Sequence, residues 1–111
     1  MPDVLANRRG AARYSLIVVA DVSDRASEAR ISARTSDASV TGCYVDTLHP
    51  MKSGTHVRLV LTHGRESFDV FARVVYVSPG LGMGIRFDDP VPLEQLAVLE
   101  TWLKAAPALS R

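Results

Sequence analysis

The chain has 111 residues, 47% of them hydrophobic, which suits one globular domain with a modest core and excludes a disordered chain. Its net charge of +1 at pH 7 lacks the basic excess of a duplex-binding protein, so neither DNA nor RNA is an expected partner. Cys43 is the only cysteine, no early segment reads as a signal peptide, and no apolar run approaches the roughly 20 residues of a membrane span; together these predict a cytoplasmic protein with no membrane insertion.

Residues 1–13 show no strand or helix period, and Pro2, Gly10 and the charges predict a flexible arm. The arm carries Arg8, Arg9 and Arg13. Arginine is a rigid fork of donors suited to phosphate or a guanine edge. Arg9 and Arg13 are four apart, so they share a helix face or point the same way along roughly 13 Å of extended chain. Taken alone, the arm is equally a solvated basic tail.

Tyr14–Ala20 is rich in β-branched residues and predicts a first strand, followed by a polar turn over Asp21–Ser27. Ala29–Ser36 alternates weakly and predicts a second strand. The stretch Ser36–Gly42 is dense in turn formers: Asp37 and Ser39 can bond the local backbone, and Gly42 can take a positive φ. Cys43–Asp46 is a short third strand. Thr55–Thr62 and Ser67–Ser78 alternate around a Gly64-bearing tip and predict a hairpin, with Phe68, Val70, Ala72, Val74 and Tyr76 on one face. Met83, Ile85 and Phe87 line one face of a sixth strand; Gly82 and Gly84 on its other face suggest a bend or close approach.

Asp88-Asp89-Pro90-Val91-Pro92 is a helix entry, and Leu93, Leu96, Val98, Leu99, Trp102 and Leu103 form a helical stripe that Pro107 ends. The expected fold is therefore all-β with a C-terminal helix: a six-stranded antiparallel β-barrel, whose closure removes sheet edges. Residues 14–105 form the single domain, with an arm over 1–13 and a tail over 106–111. No strand-helix-strand alternation supports a Rossmann sheet.

Little of the familiar chemistry is present. His49, His56 and His63 are scattered and joined by no cysteine or carboxylate cluster, so no metal is expected. No hydrolase motif ties a histidine to Asp37 or Ser39. Gly80-Leu81-Gly82-Met83-Gly84 does not open a helix and is no dinucleotide loop. A single-strand-binding barrel would need exposed stacking aromatics, whereas Phe68, Tyr76, Phe87 and Trp102 read as internal. No catalytic machinery remains, and no enzyme is expected.

What remains is the arginine arm and the Asp37 turn. Arg9-Gly10-Ala11-Ala12-Arg13 matches Arg-x-x-x-Arg, and Asp37-Ala38-Ser39-Val40-Thr41-Gly42 matches Asp/Asn-x-Ser-x-x-Gly. In this order, flanking one strand hairpin, they resemble the PilZ domain, the bacterial receptor module for cyclic di-GMP. Gly82-Met83-Gly84-Ile85-Arg86-Phe87 is similar to that family's closing strand, and the resemblance spans roughly Asn7 to Lys104.

The resemblance implies a PilZ-like split barrel that binds cyclic di-GMP as a ligand and needs no cofactor. Arg9 and Arg13 would serve phosphates, guanine edges and base faces, each good bidentate pair contributing about 1–3 kcal/mol. Asp37 would accept from guanine N1 and N2, Ser39 would add a polar contact, and Gly42 would let the backbone turn. Arg8, directly before the first motif, is tied to whether one ligand or a stacked pair binds. Ordering of the arm on binding would relay the signal to a downstream protein. The alternative is a PilZ-like protein–protein adapter that does not bind the nucleotide.

Overall fold

The computed structural model describes residues 11–109. The strands are β1 (Val19–Asp24), β2 (Arg30–Ala38), β3 (Gly42–Asp46), β4 (His56–His63), β5 (Glu66–Ser78) and β6 (Gly82–Phe87), and one helix, α1 (Leu93–Ala105), follows. They close into an antiparallel barrel in the order β1-β2-β3-β6-β5-β4, with β4 returning to β1.

The period-2 apolar pattern explains the closure, because alternate residues of each strand point inward. Val22, Val45, Val57, Leu59, Leu61, Phe68, Val74 and Met83 fill the interior, and Phe68 meets Phe87 edge-on at 5.0 Å between centroids. Helix α1 packs on β5 and buries Leu99, Trp102 and Leu103. Two side-chain bonds fix its position: Trp102 Nε1 donates to Glu66 Oε1 at 3.0 Å, and Gln95 Oε1 accepts the Asp69 N–H at 2.7 Å. Leu93, expected in the apolar stripe, is instead 83% exposed at the first position of the helix.

Strand β1 starts later and ends later than its β-branched residues suggest. Asp21 and Ser23, which read as turn residues in the sequence, alternate outward around buried Ala20 and Val22 and pair with both neighbours. The reversal comes at Asp24, whose carboxylate accepts the Ala26 N–H at 2.8 Å and the Ser27 hydroxyl at 3.1 Å. The preceding Tyr14–Val18 stretch lies across the end of β2 instead of joining the ladder. Thr35, buried on β2, donates to the Leu16 carbonyl at 2.5 Å and accepts the Val18 N–H at 3.1 Å.

The C-terminal segment is likewise pinned. Tyr14 bridges to both Ala38 and Ala108, the Ser15 N–H donates to the Pro107 carbonyl at 2.8 Å, and the Leu109 N–H donates to the Arg13 carbonyl at 3.0 Å. The root of the arm is thus clamped between β2 and the segment after α1, which places Arg13 beside the end of β2.

Candidate functional site

Two β-bulges build the site. The β2–β3 register shifts between Thr35 and Asp37, and the β5–β6 register shifts between Val74 and Tyr76. A bulge inserts an extra residue, bends the strand and re-aims the side chains that follow. The first brings Asp37 to the rim, where it meets Arg13. Asp37 Oδ1 accepts from Arg13 Nε at 2.7 Å and also from Nη2. The second turns Tyr76 outward, 52% exposed, where the uninterrupted alternation of β5 predicts an internal residue. Tyr76 is the site residue that sequence reasoning missed, because a bulge leaves no mark in the apolar period.

The outward Tyr76 ring lies over Gly84, where a Cβ would sit 2.2 Å from a ring carbon. It meets Tyr44 at 6.0 Å between centroids. Partial burial pushes the Tyr76 phenol up, with Arg13 pulling it down and Asp37 adding to the rise, so the ring sits within the field of the ion pair.

A cavity of about 120 Å³ opens here, lined by Arg13, Gly42, Cys43, Tyr76, Gly84 and Arg86 among others. A larger groove of about 460 Å³ includes Arg58, Asp69 and Phe71. Its charged groups answer each other, however: Arg58 Nε and Nη2 bond the two Asp69 oxygens at 2.9 and 2.5 Å. The smaller cavity is the candidate site because the two sequence motifs meet on its edge.

Ser39 lies beneath the site, fully buried. Its hydroxyl bonds the Thr41 hydroxyl at 3.0 Å and accepts the Thr41 N–H at 3.1 Å, and its own N–H donates to the Gly42 carbonyl at 2.8 Å. Asp37, expected in a turn, instead lies on β2 opposite Tyr44, and Ser39 holds the turn that follows, between β2 and β3. Gly42 does not take the positive φ expected of it. It opens β3, and an added Cβ would sit 2.3 Å from the Ile85 carbonyl oxygen, so glycine is required for close approach of β3 to β6. Burial pushes the Cys43 thiol up to about 12, with Arg13 opposing the rise.

Arg13, Asp37 and Gly42 are therefore gathered at one place, with Ser39 under them. Arg8 and Arg9 lie outside the described residues, as does most of the expected arm. Among the described residues no group of three or more His, Cys, Asp or Glu could hold a metal ion, and no helix is long and apolar enough to cross a membrane.

The fold and site together define the class: a small closed antiparallel barrel with a C-terminal helix packed on β5 and an arginine–aspartate pair at its rim. The PilZ domain profile matches residues 7–105, and the chain belongs to the PilZ domain family. No curated protein matches with significance. Among solved structures, the PilZ domain of CeSA from a cellulose-synthesizing bacterium is similar, with 21% identity and a TM-score of 0.66 over 84% of this chain and 95% of that one. The PilZ domain of YcgR from Escherichia coli, solved with c-di-GMP, gives 17% identity and a TM-score of 0.71 over 89% and 93%. The Bacillus subtilis inhibitor of motility MotI/DgrA gives 17% and 0.70, with 89% of this chain covering 51% of that longer one. These likenesses carry the fold; the six-stranded barrel and its C-terminal helix match them.

Proposed function

We propose that this chain binds cyclic di-GMP at the Arg13–Asp37 rim and passes the signal to a partner protein. The observation that carries this reading is the Arg13–Asp37 ion pair, which joins the two motifs across 24 positions of sequence. The YcgR PilZ domain, with which this chain shares its fold, was solved with that nucleotide.

Each residue has a physical role in such binding. Arg13 and Arg9 supply guanidinium forks for the phosphates, the guanine O6/N7 edge and base faces. Asp37 supplies the acceptor that arginine lacks, for guanine N1 and N2. Ser39 fixes the turn behind Asp37 and reaches the ligand by releasing Thr41. Gly42 keeps β3 and β6 close, so that the floor of the pocket carries no side chain there. Tyr76 adds an aromatic wall. Arg8 places a further cation where a second, stacked copy would sit.

The ligand must take Arg13 from Asp37 or share it. Both side chains are partly exposed, at 43% and 25%, so separating them costs only about 0–1 kcal/mol. Ordering residues of the arm costs about 1–2 kcal/mol each. Several charge-assisted hydrogen bonds at about 1.5–3 kcal/mol each offset that cost. The output is a surface completed when the arm folds onto the barrel of this non-enzymatic, cytoplasmic module.

Calorimetric titration of cyclic di-GMP into wild type, Arg9→Ala, Arg13→Ala and Asp37→Ala tests the reading. Binding by wild type and loss in the three variants is expected, with two ligands per chain if Arg8 serves a stacked pair. No binding by wild type would overturn it in favour of a protein–protein adapter.

A further inference from the structure

One row of the barrel's outer face sets two arginines side by side. The strand registers set His56 on β4 opposite Arg73 on β5, Arg73 opposite Arg86 on β6, and Arg86 opposite Gly42 on β3. Arg73 and Arg86 are both exposed. Directly opposed residues on adjacent strands have Cβ atoms about 4.5–5.5 Å apart, and like charges so placed are destabilising.

Among the described residues nothing relieves this repulsion. Among the described residues the only ion pairs are Arg13–Asp37 and Arg58–Asp69, so neither Arg73 nor Arg86 has a carboxylate partner there. Asp88, the next acid along this edge, has its backbone N–H on the Phe71 carbonyl and lines the separate groove with Arg58 and Asp69. On the other flank Gly42 contributes no side chain. Arg86, in contrast, lines the same cavity as Arg13.

We infer that Arg73 and Arg86 form a phosphate subsite that extends the Arg13 pocket across β6 and β5. An anion between the two guanidinium groups turns a repulsive pair into two charge-assisted contacts, and planar forks suit phosphate oxygens. The subsite takes phosphodiester oxygens of the nucleotide held at the Arg13–Asp37 rim, and in that respect it rests on the function proposed above. Arg13 and Asp37 then recognise the base and near phosphate, while Arg86 and Arg73 fix how far the ligand lies over the barrel.

The test compares wild type, Arg13→Ala, Arg73→Gln and Arg86→Gln by titration with cyclic di-GMP at low and moderate salt. The glutamine variants are expected to bind about fivefold more weakly each and to show a flatter salt dependence. Their unliganded unfolding midpoints should equal or exceed that of wild type, because removing one charge relieves the opposed pair. Unchanged affinity and salt dependence in both glutamine variants, with Arg13→Ala impaired, would overturn the subsite and leave the proposed function standing. If wild type does not bind the nucleotide, the proposed function falls, and inorganic pyrophosphate then decides the subsite. A rise in the wild-type unfolding midpoint that both glutamine substitutions remove sustains the anion site; no rise overturns it.

Discussion

Arg13 presents two of its donors, Nε and Nη2, to a single Asp37 oxygen, Oδ1. The pair is partly open to solvent, so it latches the two motifs without acting as a strut. A double-mutant cycle on unfolding free energy with Arg13→Ala and Asp37→Ala should give a coupling of about 0–1 kcal/mol. Binding of cyclic di-GMP should respond differently, each single substitution lowering affinity by at least about tenfold, as expected for loss of a charged contact of about 1.5–3 kcal/mol. A stability coupling above about 3 kcal/mol, the range of a buried pair, would make the contact structural and sink this assignment.

The barrel is legible in sequence wherever alternation runs uninterrupted, as along Val57, Leu59 and Leu61 or Met83, Ile85 and Phe87. It is obscured at β1, where Asp21 and Ser23 resemble turn residues until paired strands on both sides give their backbones partners. The motif residues Arg13 and Asp37 can be chosen by type and spacing, but their contact depends on the β2 bulge and on the clamp of Tyr14 between Ala38 and Ala108. Tyr76 is hidden for the same reason: a register shift flips a side chain without changing composition. Ser39 has the composition of a turn residue, yet only the structure shows its hydroxyl engaged by Thr41.

Cys43 borders the pocket but should behave as an inert core residue. It is 2% exposed, and burial pushes its thiol up to about 12, so the neutral form prevails at physiological pH. Iodoacetamide at about pH 8, near the ordinary thiol value, should label the urea-unfolded chain readily and the native chain at a small fraction of that rate. Because the folded-state value is raised, the unfolded chain ionises first as pH rises. The thiol's contribution therefore lowers stability from the ordinary thiol range upward toward 12. A native labelling rate close to the unfolded one would contradict the enclosed position.

Asp69 governs part of the acid limb. The hydrogen bond from Arg58 holds its carboxyl below the usual carboxylate range, against an opposing contribution from desolvation. A depressed folded-state value means that the stabilisation is fully present above the unfolded value, near about 3.9. It is lost as pH falls through the lower folded value. Thermal midpoints measured from about pH 6 down to about pH 2 should fall less steeply for Asp69→Asn than for wild type. The difference should be modest, because the pair is solvent-screened, and it should shrink further in high salt. Parallel acid limbs for the two proteins would show that the pair carries no pH dependence.

Gly42 and Gly84 both line the pocket, but substitution should destabilise each for a different reason. At Gly42 an added methyl would meet the Ile85 carbonyl at 2.3 Å, a backbone atom fixed by the β3–β6 ladder. Gly42→Ala should therefore cost about 2–4 kcal/mol through overpacking and strand displacement, read as a fall in the urea midpoint. At Gly84 an added methyl would lie 2.2 Å from the Tyr76 ring, which is half exposed and able to swing away. Gly84→Ala should cost less, about 1 kcal/mol, and Tyr76→Ala in the same chain should restore most of it. No such rescue is expected for Gly42→Ala combined with Tyr76→Ala, since the obstructing atom there is backbone. If Tyr76→Ala rescued both glycine substitutions equally, or neither, the packing of Tyr76 on Gly84 would not be what forms this wall of the pocket.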